Sequence, residues 1–230
     1  MGSRLMHLAI AKMVLEEFPA ADPARFLVGS VLPDGASAGN SHRRVSCGGG
    51  FQTIDLESFR RSYEKELLTD DLVHGYYLHL LQDLFMRGYL QTHLDWQASR
   101  REARQLHRDH THLNSVLTEK YRLEETAKFL QTQDLRVLSK ENVKFSQEKL
   151  LQSIRQDLLS KPHGKAQYFT QALAEDYITL AAKLSISELE ALKEGKSGAD
   201  LSGISWKWGN PGLLIRVRRK LIRKLGRIFK

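Results

Sequence analysis

His79 and Asp83 stand four apart in LVHGYYLHLLQDLF, a stretch of helical period. The spacing predicts one shared helix face, with Cβ atoms about 5–6 Å apart. An imidazole nitrogen and a carboxylate oxygen so placed can grip one hard or borderline divalent ion. Tyr76, Tyr77, Leu80, Leu84 and Phe85 surround the pair, so that face is expected to be buried. A lone buried carboxylate costs several kcal/mol or takes up a proton, and Asp83 therefore needs a partner. For an isolated His-x-x-x-Asp, the alternative is a hydrogen-bonded pair that only builds the core.

Three further residues belong with this pair. His7 lies among Leu5, Leu8, Ala9 and Ile10, an apolar setting for an imidazole unless it is bound. Asp34 follows Pro33 where a helical run stops, and His42 sits eight residues later in a Gly/Ser-rich stretch. Singly these read as a satisfied core histidine, a turn aspartate and a solvated loop residue. Taken in order, MHLAIAKMVLE, FLVGSVLPDG, SHR and HGYYLHLLQDLF, they resemble the bacterial zinc-dependent phospholipase C and single-strand nuclease superfamily. The likeness is nearest to its small cytoplasmic phospholipase C-like hydrolases. It covers residues 3–95, with a weaker echo in LHRDHTHLNSVL at His107, Asp109 and Asn114.

The resemblance implies an all-α bundle in which His7, Asp34, His42, His79 and Asp83 line one cleft and ligate zinc, with manganese as the substitute. Two departures bear on the ion count. In the secreted members the mature N-terminal amine itself ligates a metal, whereas six residues precede His7 here. A second His-x-x-x-acid pair is also missing. One or two ions are therefore expected rather than three, with His93, Asp95, His107 or Asp109 as completing ligands. His74, about 140° round the helix from His79, reads as structural or as a support behind the ligands.

Two ions in such a cleft suit phosphoester hydrolysis, because they polarise a phosphoryl oxygen, lower the pKa of bound water and stabilise the leaving oxygen. By this analogy Asp34 both ligates and orients the attacking water. The loop from Gly35 to Gly50 would shape the entrance. Its Arg43 and Arg44 are candidates for the substrate's anionic group, with a solvated loop as the plain alternative.

The elements that must position these groups are helical. Leu5, Met6, Ala9, Met13 and Val14 recur at three- and four-residue steps, predicting a helix over about 5–18. Asp22-Pro23 opens a second helix, which Pro33-Asp34-Gly35 closes. The following GASAGNSHRRVSCGGG is too rich in Gly and Ser for a regular element. Helices are expected near 55–67, 70–90, 98–119, 123–132, 144–160 and 166–194. The capping-box spacing Ser185 to Glu188 suggests that the last divides near Lys183. No segment carries a sustained strand alternation, so the fold class is all-α: a helical domain over 1–194, a linker over 195–211 and a separate tail over 212–230.

Composition bounds what surrounds the site. Of 230 residues, 41% are hydrophobic and 27% charged, enough for a real core. One cysteine, Cys47, excludes an internal disulfide framework and a cysteine-rich zinc ribbon. The net charge of +8 is confined to the end of the chain. Residues 212–230 hold eight cations and no acid, and the remainder is formally neutral. In this tail Leu214, Val217, Leu221, Leu225 and Ile228 face away from Arg216, Arg219, Arg223, Arg227 and Lys230. That pattern predicts a basic amphipathic helix lying on an anionic membrane surface. Trp206 and Trp208 just before it suit the water–lipid boundary. Docking on the body and binding to nucleic acid are the alternatives. Lacking a spanning run, a secretory signal or a myristoylation site, the chain is expected in the cytoplasm, peripheral on the inner membrane face.

The function expected is thus a metal-dependent hydrolase acting on a phosphoester or phospholipid. The alternative is a catalytically degenerate helical adaptor held at the membrane by its tail. The absence of any His-Asp dipeptide argues against a phosphohydrolase of the HD type.

Overall fold

The computed structural model describes residues 2–161, 164–196 and 198–207. It is all-α, with eight α-helices among these residues: α1 (Arg4–Glu17), α2 (Pro23–Val31), α3 (Leu56–Ser62), α4 (Asp71–Leu94), α5 (Arg100–Tyr121), α6 (Leu123–Ala127), α7 (Gln147–Leu159) and α8 (Gln171–Lys193). The basic stretch 212–230 and Trp208 lie outside the described residues. Among the described residues no helix is long and apolar enough to cross a membrane.

The helices start where local chemistry permits. Ser3 accepts from the Met6 N–H to cap α1, and Asp22 accepts from the Arg25 N–H to cap α2, with Pro23 in the first turn. Asp70 caps α4 and pairs with Arg25 at 2.7 Å, which brings the starts of α2 and α4 together. Ser99 and Glu102 form a full capping box on α5.

α4 is buried on nearly every face, from Leu72 to Leu90, and is the axis of the bundle. Its approach to α2 depends on two glycines. A Cβ at Gly75 would lie 2.2 Å from the Phe26 carbonyl oxygen, and one at Gly29 would lie 2.3 Å from the Leu72 carbonyl oxygen. Backbone thus meets backbone at this crossing, and no other residue type fits either position.

Three sequence expectations are corrected. The Gly/Ser-rich stretch is partly ordered as strand: β1 (Ala36–Ala38), β2 (Arg44–Ser46) and β3 (Gln52–Ile54). β2 and β3 form an antiparallel hairpin, turned through Gly48, Gly49 and Gly50 at φ of 86°, 58° and 78°. β1 pairs with the short β4 (Lys144–Phe145). Three-residue strands are too short for a period of two to register. Second, α8 is continuous through Lys183: Ser185 Oγ donates to the Ala181 carbonyl, and buried Glu188 accepts from Tyr77 Oη and the Ala199 N–H. Neither residue is free to cap.

Third, Trp206 is not at a lipid boundary. It is 1% exposed, exchanges backbone hydrogen bonds with Gln52, and lies over the Arg87 guanidinium at 4.6 Å, with Trp96 at 4.7 Å from the same group. The segment leading to Trp206 is therefore packed on the body.

Candidate metal centre

α1, α4 and the turn after α2 converge on one buried cluster. α1 contributes His7 and α4 contributes His79 and Asp83. The 3₁₀ turn Leu32–Gly35 contributes Asp34, and the chain beyond β1 contributes His42. His7 and His79 are fully buried and stack with ring centroids 4.0 Å apart. All five residues expected from sequence meet here.

The hydrogen bonds behind the rings set their tautomers. His79 Nδ1 lies 2.9 Å from the Ser30 carbonyl oxygen, which can only accept, so Nδ1 carries the proton and Nε2 is bare. His7 Nδ1 lies 2.7 Å from Gln82 Oε1, and the Gln82 amide donates onward to Ser185 Oγ. His42 Nδ1 lies 3.0 Å from Ser41 Oγ, whose single proton goes to the Pro33 carbonyl. Each ring thus donates outward through Nδ1 and presents a bare Nε2 to the middle.

The bare nitrogens are close. His79 Nε2 and His42 Nε2 are 3.3 Å apart, where two lone pairs repel unless a cation lies between them. Asp34 Oδ1 is 3.3 Å from His42 Nε2 and 3.9 Å from His79 Nε2. Asp83 Oδ2 is 3.7 Å from His42 Nε2, and Asp83 Oδ1 is 3.5 Å from His7 Nε2. Ligands about 2.0–2.1 Å from a tetrahedral zinc stand roughly 3.3 Å apart, close to the spacing around His42. Two overlapping groups can hold an ion, His7/His79/Asp83 and Asp34/His42/His79. His79 Nε2 belongs to both but can serve one ion at a time. The two groups therefore share His79, with Asp34 and His42 completing one and His7 and Asp83 the other, while Asp83 Oδ2 also approaches His42.

Electrostatics agrees with this donor chemistry. Burial, reinforced by His7, holds His79 well below the usual histidine range, so it stays neutral and able to ligate. Burial would raise both carboxyls, but positive charge nearby outweighs it, that of His42 first at Asp34 and that of the chain's amino group first at Asp83, and both lie below the usual carboxylate range.

The additional residues fare differently. His93 is fourteen residues beyond His79 on α4, about 21 Å along the axis. It stacks on Tyr89 and donates to that residue's carbonyl, away from the cluster. Asp95 ends α4 in a left-handed conformation and accepts from the Gln97 side chain. Asp109 is buried but accepts from the backbone N–H groups of Gln167, Tyr168 and Phe169, so it anchors the approach to α8. Burial alone would raise its carboxyl; these donors hold it low. His107 is exposed and lines a cavity beside the cluster rather than joining it. Arg43 is withdrawn from the substrate role: its guanidinium pairs with Glu141, donates to Ser58 Oγ at 2.6 Å and lies over Phe59. Its own backbone is left-handed, at φ 44°. Arg44 is exposed on β2.

Sequence reasoning passed over the residues behind the rings, Ser30, Ser41 and Gln82. Only Gln82 left a trace, as a polar residue between Leu81 and Asp83 in an otherwise apolar run. It also missed Gly2, whose N–H donates to Asp83 Oδ1 at 2.9 Å, and His110, pushed by burial down to about 3. Gln82→Leu removes the group that orients His7. Zinc affinity at the His7 side is expected to fall about 10–100-fold, measured by competition with a chromophoric chelator.

The class defined by this fold and cluster is a helical protein with a buried three-histidine, two-aspartate centre. Beyond that class, no protein-family model, curated protein or solved structure matches the chain.

Proposed function

We propose that this chain is a metal-dependent phosphoesterase of the zinc-dependent phospholipase C-like type, binding one or two Zn²⁺ ions through His7, Asp34, His42, His79 and Asp83. The observation that carries the reading is the set of three imidazoles, each with Nδ1 engaged outward and a bare Nε2 directed at two ionised carboxylates. Core histidines that serve packing alone have no need of three bare nitrogens in one place.

The metal, when bound, supplies Lewis acidity toward a phosphoryl oxygen and lowers the pKa of water. The chain's own groups do the rest. Asp34, the partly exposed carboxylate of the cluster, faces the cavity and can hold and orient the attacking water. Ser30, Ser41 and Gln82 keep the imidazoles in the ligating tautomer.

The zinc-loaded chain is expected to hydrolyse bis(p-nitrophenyl) phosphate or p-nitrophenyl phosphate. Activity should be lost on chelation and return with Zn²⁺ or Mn²⁺, and Asp34→Asn should lower kcat by about 10²-fold or more. A zinc-loaded chain that cleaves no phosphoester sinks the proposal.

Attachment to an anionic membrane surface is proposed for 212–230 from its sequence. A chain shortened after Gly209 is expected to lose sedimentation with phosphatidylglycerol vesicles while retaining its metal. Loss of the metal as well would show that body and tail are not separable.

A further inference from the structure

A cavity of about 280 Å³ opens beside the cluster, between Gly2 and Asp34 on one side and the His107, His110, Thr111 and Asn114 face of α5 on the other. That volume lies just below the roughly 300–1,000 Å³ of pockets for drug-sized molecules. We propose that this cavity receives the alcohol half of a small hydroxyl-rich phosphomonoester, a polyol or sugar phosphate, with His110 and Asn114 as the residues that determine specificity. The inference rests on the phosphoesterase reading and names its substrate class.

Two nearly buried polar side chains point to a ligand. His110 is 7% exposed, lines the cavity, and its Nε2 has no hydrogen-bond partner among the described residues. Asn114, one turn further along α5, is 4% exposed, and its amide makes no hydrogen bond among those residues. A neutral imidazole offers one donor or acceptor, and an amide offers two donors and an acceptor. His110 Nε2 is a buried atom left unpaired, and the Asn114 amide is unpaired but open to solvent, so a hydroxyl in the cavity can bond it.

The remaining walls weigh against two rival alcohols, choline and a lipid. Among the described lining residues the only rings are the His107 and His110 imidazoles, with no Phe, Tyr or Trp to form a cage for a quaternary ammonium. Leu106 is its one large apolar side chain, too little to cover an acyl chain. Its charges are those of Asp34 and of the Arg4–Asp157 pair, which neutralise each other at 2.8 Å. No free cation is thus present among the described lining groups to hold a second phosphate. In the reaction a P–O bond forms to the water oxygen and the P–O bond to the polyol oxygen breaks. One water proton stays on the phosphate and the other ends on the polyol hydroxyl.

The test uses the zinc-loaded full chain and compares myo-inositol 1-phosphate and sorbitol 6-phosphate with p-nitrophenyl phosphate, AMP and phosphatidylcholine vesicles. A polyol phosphate is expected to be favoured at least about tenfold in kcat/KM. Asn114→Leu should reduce the ratio of polyol-phosphate to p-nitrophenyl-phosphate kcat/KM by at least about tenfold. Thr111→Val, at an exposed position, should shift it the same way by less. An aromatic, nucleotide or lipid preference, or an unchanged ratio in Asn114→Leu, overturns the assignment. If no phosphoester is turned over, the phosphoesterase reading fails by itself. Calorimetry with myo-inositol 1-phosphate then decides the cavity: binding weakened tenfold by Asn114→Leu upholds it, and equal or absent binding overturns it.

Discussion

The double variant His79→Ala, Asp83→Ala is expected to emerge from zinc loading without bound metal, where the parent chain carries one or two equivalents. His79 Nε2 lies in both groups able to hold an ion, and the two oxygens of Asp83 face the His7 and His42 sides. Removing both residues leaves neither group with three donors. With apparent zinc free energies of about 10–16 kcal/mol shared over four ligands, each ligand lost costs about 10²-fold or more in affinity. The helix itself should survive, since α4 is packed by Leu72, Tyr76, Tyr77, Leu80 and Leu84. Elemental analysis reads the metal and far-ultraviolet circular dichroism reads the helix. Zinc retained stoichiometrically by the double variant, or absent from the loaded parent, removes the metal centre.

Gly75→Ala is expected to destabilise the protein by about 3 kcal/mol or more, the opposite of the ordinary effect of this substitution within a helix. Alanine normally gains about 1 kcal/mol over glycine at a helical position. Here its methyl would lie 2.2 Å from the Phe26 carbonyl oxygen and 2.6 Å from the Ser30 nitrogen. These are backbone atoms of α2 and cannot turn aside, so the two helices must part. Overpacking alone costs about 1–3 kcal/mol, and separating the helices adds to it. For a chain of this size that corresponds to a fall in Tm of about 6–12 °C. The separation also draws the Ser30 carbonyl away from His79 Nδ1, so zinc affinity should fall together with Tm. Gly88→Ala is the comparison, because its methyl would meet only the end of the Ile204 side chain, at 2.8 Å. A Gly75→Ala chain as stable as the parent would contradict the close crossing of α2 and α4.

The helices were legible because their apolar positions recur at helical spacing and their starts carry local caps. Asp22, Asp70 and Ser99 each cap the helix that follows. Misreadings arose where a local pattern was claimed by a distant partner. Ser185 and Glu188 have the spacing of a capping box, yet Tyr77, 111 residues before Glu188, uses that carboxylate. Arg43 in a Gly/Ser stretch looks solvated or ready for an anion, yet Glu141, 98 residues on, takes its charge. Trp206 has the sequence setting of a boundary residue, yet Arg87 and Gln52 hold it in the body.

By itself the sequence determined the kinds of donor, the shared face of His79 and Asp83, the apolar setting of His7 and the confinement of net charge to the tail. These follow from residue type and from the fixed geometry of one helix. Tertiary structure alone decided that a close glycine crossing sets the Ser30 carbonyl behind His79, that Gln82 and Ser41 stand behind His7 and His42, and that three bare nitrogens meet. Which nitrogen of an imidazole is free depends on the acceptor behind the ring. For His7 and His79 that acceptor comes from an element 75 and 49 residues away in the chain, brought there by packing rather than by spacing.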